Sequence, residues 1–306
     1  MARPIVILGM FAADVSFRAE RQPKLGETIL GSAFALGPGG KGSNQAVAAA
    51  RAGGQVHLIS RLGTDTFGDM AMDLWAEAGL TPAVTRHADS YTGAAYIFLE
   101  QASGNNAIIV CPGAANAMGA DDLRAQADLI SGAGVFLTQL ETPIAAAREG
   151  LSIARAAGVT TILNPAPAAD LEDDFLALCD WITPNEAEAE GLTGIAVTGP
   201  DDAARAAAAL IARGVGGVVV TLGAQGVLLC HGDRRVHIAA TAPGPVVETT
   251  GAGDAFNGGF AVALARGDNP ETAARFGCAV AGISVTRAGA AASMPTRAEI
   301  EALLLG

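Results

Sequence analysis

Short runs of buried-strand character alternate with alanine-rich helical patterns along most of this chain, and no other feature limits its possible folds so strongly. Ile5 to Leu8, Val56 to Ser60, Val135 to Leu140, Val159 to Leu163, Trp181 to Thr183 and Val218 to Leu222 are short and rich in β-branched residues. Between them, Ala46 to Ala52, Ile144 to Ala157 and Ala203 to Arg213 read as helices. An apolar run that does not alternate with polar residues is buried on both faces, which a sheet achieves when crossover helices cover it. The expected class is therefore α/β, a central, mostly parallel sheet flanked by helices. No linker or low-complexity segment interrupts the 306 residues, so a single domain over 1–306 is expected.

Two stretches break the alternation. Thr28 to Leu36 and Thr92 to Val110 read as β-ribbon, the second with a turn at Ser103-Gly104-Asn105-Asn106, and neither is followed at once by a crossover helix. They fit a small β-sheet standing over a site as a lid, with segments near 12–36 and 91–112, and equally an edge extension without a role.

Charge and cysteine usage exclude several classes. The formal charge is −12, from 19 basic and 31 acidic residues, which argues against a nucleic-acid or acidic-membrane partner. Lys24 and Lys41 are the only lysines. Cys111, Cys179, Cys230 and Cys278 lie far apart, without a Cys-x-x-Cys or a cysteine–histidine cluster, which speaks against zinc and disulfides and fits a reducing compartment. The N-terminus runs almost directly into Pro4 to Gly9, too short a run for a signal-peptide core, and no apolar run is long enough to cross a bilayer. A cytoplasmic protein is expected.

The chemistry concentrates at Thr249-Thr250-Gly251-Ala252-Gly253-Asp254, which follows the extended Pro245-Val246-Val247 and opens a helix whose apolar face is Phe256, Phe260, Ala263 and Leu264. The first N–H groups of a helix lack internal partners, and glycines at 251 and 253 let an anion approach them. An aspartate beside a bound anion makes sense if it takes a proton from a nucleophile attacking a phosphoryl group held there. Those residues alone fit equally well an acidic first turn that favours the helix dipole.

Gly37-Pro38-Gly39-Gly40-Lys41-Gly42-Ser43-Asn44 imitates two nucleotide motifs and fits neither. Gly37, Gly39 and Gly42 match G-x-G-x-x-G, but no acid stands about twenty residues on, around Leu58 to Leu62, to hold a ribose. Lys41 is followed by Gly42 rather than Ser or Thr, so it is not a Walker A lysine. What is left is a flexible diglycine with Lys41 and Asn44 as directional donors, suited to a polyhydroxylated ligand, and Gly39-Gly40 as a possible hinge between ribbon and sheet. Asp14, Glu141, Asn185 to Glu188 and Thr221 to Gly226 each follow a strand, where open α/β sheets bind ligands, although each alone also reads as turn or cap chemistry.

In this order the segments resemble the phosphofructokinase-B-type carbohydrate kinases, the ribokinase family. The match runs through Pro23 to Thr28, Gly39 to Ala48, Asn164 to Ala168, Thr183 to Glu190, Thr221 to Gly223 and Gly251 to Gly258, essentially the whole chain. The resemblance implies a ribokinase-like fold with a β-sheet lid and ATP-dependent phosphorylation of a sugar, D-ribose to D-ribose 5-phosphate first among them. Asp254 falls at the family's catalytic base, and Gly251, Ala252 and Gly253 at its anion hole. Asp14, Gly40, Lys41, Gly42, Asn44 and Glu141 fall at sugar-contacting positions, and Asn185, Thr221, Gly223, Gly226 and Gly253 at nucleotide positions. Glu188 completes an Asn-x-x-Glu pattern that helps organise Mg²⁺. Glu248, Thr250, Ser284, Arg287, Gly289 and Ser293 fall where an activating K⁺ binds, and the family's paired lids imply a homodimer. Two positions depart from the pattern. Ala12 stands where an asparagine is usual, leaving room for another sugar such as 2-deoxyribose, and Glu248 stands where an aspartate is usual at the cation site. A nucleoside or hexose kinase of the family, and a non-catalytic sugar-binding sensor, are the competing expectations, with a dehydrogenase disfavoured by the missing acid.

Overall fold

Ile5 to Leu8, an unbroken apolar run, lies near the middle of the main sheet, where both faces are covered. The computed structural model describes residues 3–305; Met1, Ala2 and Gly306 of the expected 1–306 unit lie outside the described residues. In chain order the strands are β1 (Ile5–Leu8), β2 (Ala12–Ala19), β3 (Ala33–Gly39), β4 (Val56–Gly63), β5 (Thr81–His87), β6 (Thr92–Glu100) and β7 (Asn106–Gly113). There follow β8 (Val135–Thr138), β9 (Thr160–Leu163), β10 (Trp181–Ile182), β11 (Gly217–Thr221), β12 (Val227–His231) and β13 (Arg234–Ile238).

The main sheet is nine-stranded in the order β13-β12-β11-β10-β9-β8-β1-β4-β5. From β11 to β5 every neighbouring pair is parallel; the β11–β12 and β12–β13 pairs are antiparallel, so β12 alone runs against the other strands. Successive side chains of a strand point to opposite faces. Ile5 and Ile7 thus join one core with Phe256 and Phe260, while Val6 and Leu8 join another with Phe136 and Leu151. The chain departs from β1 to one side through β4 and β5 and to the other through β8 and its successors. The carboxyl ends of β1 and β8 therefore flank the switch point, where such sheets bind ligands.

The ribbons form a separate four-stranded sheet, β3-β2-β6-β7. It is mixed: β2–β3 and β6–β7 are antiparallel, β2–β6 is parallel. Its bounds differ from the sequence reading. Thr28 to Ser32 are not strand, and pairing begins at Ala33, where Arg18 of β2 first lies opposite. The second ribbon turns at 101–103, starting two residues before the expected turn and overlapping it at Ser103, and Asn106 already belongs to β7.

Two helices meet backbone to backbone beneath the switch point. A Cβ at Gly258, in the Ala252–Arg266 helix, would lie 2.6 Å from Ala48 Cβ and 2.8 Å from Gln45 O, both in the Lys41–Arg51 helix. Glycine at 258 is what lets the helices approach, and the approach delivers Asn44 and Gln45 to Asp254.

Candidate active site

The turn that opens the Ala252–Arg266 helix is shaped by Gly251, which caps it at φ 76°, a left-handed conformation that glycine adopts without strain. A Cβ there would also lie 3.0 Å from that of Ala290. Ala252 N–H donates to Thr249 O at 3.1 Å, so this donor of the expected anion hole is engaged in the turn. Among the described residues the N–H groups of Gly251, Gly253 and Asp254 find no partner, so two of the three expected donors are free and Asp254 adds a third. A Cβ at Gly253 would meet nothing within 4 Å, so this face is open.

That open face lines a cleft of about 170 Å³ together with Lys41, Asn164, Ala166, Thr183, Asn185, Glu188, Thr221, Thr249, Asp254 and Asn257. Asp254, in the first turn, is only 7% exposed. Asn44 Nδ2 donates to its Oδ2 and Gln45 Nε2 to its Oδ1, both at 3.0 Å. Burial raises its pKa, opposed by the Lys41 ammonium and by the two amides. A carboxylate whose pKa is raised is a stronger proton acceptor.

The sugar-side residues gather behind Asp254. Gly9, just past β1, and Gly42 approach so closely that a Cβ on either would lie 2.4 Å from the other's Cα. Gly40 caps the Lys41–Arg51 helix at φ 88°, and Lys41 N–H donates to Glu141 Oε2 at 2.7 Å. Gly39 leaves room for the Asp14 carboxyl, which sits where a Cβ would be. Burial pushes Glu141 up to about 7, against the pull of Lys41, and pushes Asp14 up to about 6 with help from the Asp254 charge. Asn44 Oδ1 is buried and has no hydrogen-bond partner, an acceptor aimed at something absent from the protein itself.

The nucleotide-side residues only partly converge. Asn185 and Glu188 form a reciprocal cap, Asn185 Oδ1 accepting from Glu188 N–H and Glu188 Oε2 from Asn185 N–H. Both line the cleft with Thr221, which bridges to Asn185 at the end of β11. Gly223 and Gly226 do not line it. They shape the following turn, where Gly226 N–H donates to Gly223 O and a Cβ at Gly226 would lie 2.0 Å from Ile238 O.

The expected cation residues form a neighbouring group. Glu248 Oε2 accepts from Gly289 N–H at 2.8 Å, and Val285 O accepts from Val247 and Glu248 N–H, which ties the loop after the Pro270–Ser284 helix to the anion turn. Ser284 and Ser293 hydroxyls donate to Ala281 O and Ala290 O, and the Arg287 guanidinium to Glu299. Their side chains are thus locally committed. Ser284 O also accepts from Arg287 N–H, while the carbonyls of Arg287, Gly289 and Ser293 accept from no N–H among the described residues. Thr250 belongs to the turn itself. Among the described residues no three His, Cys, Asp or Glu side chains cluster as a metal centre.

The sequence reading assigned no role to Gln45, Asn164, Thr183 or Asn257, which entered it only within motif segments, or to Gln139, which entered it only within a strand. All five are buried and lie in one hydrogen-bonded chain beneath the cleft. The signal was there in Gln45, a polar residue on the otherwise apolar face that Ala46 to Ala49 continue.

The chain is similar to known proteins over nearly its whole length. Residues 2–297 match the model of the pfkB family of carbohydrate kinases. The chain is 39% identical over 300 residues to the ribokinase of Haemophilus influenzae, covering 98% of this chain and 97% of that one. It is 33% identical over 294 residues to the deoxyribokinase of Salmonella typhi, covering 95% of each. It superposes with a TM-score of 0.93 on the structure of Arabidopsis thaliana ribokinase complexed with ribose and ATP, at 33% identity and 99% coverage of both chains.

Proposed function

The chain belongs to the pfkB family of carbohydrate kinases, and from that premise we propose that it transfers the γ-phosphoryl group of ATP to O5 of D-ribose, giving D-ribose 5-phosphate and ADP. The observation that carries the reading is Asp254, a buried carboxylate in the same helical turn as the free N–H of Gly253 and its own free N–H, on one open cleft. Asp254 takes the proton of the primary hydroxyl as its oxygen attacks the γ-phosphorus. The bond to the bridging oxygen breaks, ADP leaves with that electron pair, and the proton stays on the carboxylate. Phosphoryl transfer asks a protein mostly for positioning and charge stabilisation, and these free donors supply both to the phosphoryl oxygens.

The sugar is held by Asp14, by Glu141 and by Asn44, whose orphaned Oδ1 accepts from a hydroxyl, over the glycines at 40 and 42. Asn185 and Thr221 orient the phosphates, and the Gly223–Gly226 turn presents the nucleoside side. Glu141, Glu188 and Asp254 share the single ammonium of Lys41, and Asp14 adds a further carboxylate beside Asp254, so the site is acidic and suited to a triphosphate only as a cation complex. Glu188, with one oxygen committed to its cap, and Asn185 would hold Mg²⁺ or its waters, and the ion would offset charge on the β- and γ-phosphates. Backbone carbonyls of Thr250, Ser284, Arg287, Gly289 and Ser293, with Glu248 near, would hold K⁺ beneath the anion turn.

The small sheet acts as a lid over the sugar and as the seam of a homodimer. One of its faces carries Phe17, Phe34, Leu36 and Ile109, all exposed, with Phe17 in contact with both Phe34 and Tyr96. A second reading, 2-deoxyribose as substrate, rests on Ala12: it is buried with Met10 and Ala115 in a small apolar cluster where an amide would otherwise meet a hydroxyl. A coupled assay with ATP and ribose, 2-deoxyribose, fructose and adenosine separates the readings. The highest kcat/KM should belong to ribose; turnover of none of the four would overturn kinase activity toward these substrates.

A further inference from the structure

The Asp254 carboxylate is gripped on both oxygens, and the two grips differ in what stands behind them. Asn44, on Oδ2, has its other amide atom free toward the sugar side. Gln45, on Oδ1, is wholly buried and fully committed. Its Nε2 donates to Asp254 Oδ1 and to Asn164 Oδ1, each at 3.0 Å, and its Oε1 accepts from Gln139 Nε2. The chain continues from Asn164 Nδ2 to Thr183 O, then from Thr183 Oγ1 to Asn257 Oδ1 at 2.7 Å, and ends where Asn257 Nδ2 donates to Gly253 O at 2.9 Å. Gln139 stands at the end of β8 beside the Gly9–Gly42 contact, and Gly253 carries a free donor of the anion turn.

We propose that Gln45 is a positioning residue of the reaction: as the branch point of this buried amide chain it fixes the plane of the Asp254 carboxylate, keeps it ionised, and holds it in register with the Gly253 donor. Gln45 touches no substrate in this scheme. It works because an amide wired at both ends cannot rotate, so its N–H arrives at Oδ1 from one direction only, and because a donated hydrogen bond favours the charged form of a carboxylate. The inference rests on reading Asp254 as the base. The other charged groups facing Asp254 are Lys41 from the Lys41–Arg51 helix that carries Gln45, Asp14 from β2, Glu141 beyond β8 and Glu188 from the Glu186–Thr193 helix. Lys41 favours ionisation, while the three carboxylates oppose it.

Single-turnover phosphorylation of ribose across pH, for the full chain and for Gln45→Met, Gln45→Glu and Asp254→Asn, tests the proposal. Gln45→Met should slow transfer about 10- to 100-fold with the KM values for ribose and ATP changed by no more than about threefold. Its acid limb should move up by about one pH unit, because a carboxylate that loses a donor holds its proton more tightly. Gln45→Glu keeps the volume and the Gln139 contact but replaces the donor with an acid. It should move the acid limb further in the same direction, and it decides the matter if Gln45→Met does not fold. A structural role would lower thermal stability and raise KM without moving the acid limb. That result, or a wild-type rate and acid limb in both variants while Asp254→Asn is inactive, overturns the inference alone. Retention of more than about half of the rate by Asp254→Asn overturns the base assignment and the inference with it.

Discussion

Gly39→Ala should weaken sugar binding through a side chain that the substitution does not itself replace. A Cβ at 39 would lie 2.2 to 2.5 Å from three atoms of the Asp14 carboxyl, well inside van der Waals contact. The backbone offers no resistance, since Gly39 is not among the glycines with positive φ. The methyl group therefore fits only if Asp14 rotates out of the position from which it would meet a sugar hydroxyl. A hydrogen bond to a charged group contributes about 1.5–3 kcal/mol, so the sugar KM should rise about 10- to 150-fold. The KM for ATP should hold, because the nucleotide side of the cleft is formed by other segments. Gly37→Ala is the internal control: it lies in the same strand, two residues away, and its Cβ would meet nothing within 4 Å. Initial rates at saturating ATP over a ribose titration read the effect, with thermal unfolding to verify that both variants fold. A Gly39→Ala enzyme whose sugar KM stays within about twofold of wild type, or a Gly37→Ala enzyme equally impaired, would refute the placement of Asp14.

Replacing Na⁺ by K⁺ at constant ionic strength should raise kcat several-fold with little change in sugar KM, and Glu248→Ala, which frees Gly289 from its anchor, should erase the difference; equal rates in both salts for the wild type count against a cation site. Glu141 is raised from about 4.5 to about 7, so in the folded state it binds a proton that the unfolded chain releases. Its contribution to stability is complete below pH 4.5 and is lost as pH rises through 7. Glu141→Gln should therefore flatten the fall in Tm of the ligand-free protein over that window while impairing sugar turnover, and an unchanged pH profile of Tm would contradict the burial argument. The lid face predicts a dimer by sedimentation at micromolar concentration that Ile109→Glu dissociates; a wild-type monomer rules the clasp out.

The parallel core was legible because its strands have no polar face to hide. Ile5 to Leu8 and Val135 to Thr138 are buried on both sides, so hydrophobicity alone marks them. The edges were not. β5 carries Pro82 and exposed polar residues at one margin of the sheet and has no such signature. The β12–β13 hairpin was missed although Gly232-Asp233 between β-rich runs is a two-residue turn signal, with Gly232 at φ 55°. In the lid, the parallel pairing of β2 with β6 joins segments some eighty residues apart. Only tertiary contact fixes that register, and with it the true start of β3 at Ala33.

At the site, residue types were legible where chemistry demands an unusual one, and silent where geometry does the selecting. An aspartate after two glycines at a helix start marks itself, whereas Gln45 in an alanine-rich helix does not, because its importance comes from Gly258 letting two helices touch. At the same helix start one of the three expected donors is taken up by the turn itself. Ala252 N–H closes the turn on Thr249 O, while the N–H groups of Gly251, Gly253 and Asp254 find no acceptor among the described residues. Sequence could place the glycines but not decide which N–H they leave unpaired. The carboxylates follow the same logic. Asp14, Glu141 and Asp254 are gathered within one another's electrostatic reach at a cost that burial alone does not repay, since each is pushed toward its neutral form. A fold under selection for stability alone would replace one of them. Their persistence makes sense if sugar hydroxyls and a cation-bound triphosphate complete the hydrogen bonding and the charge balance that the protein leaves open.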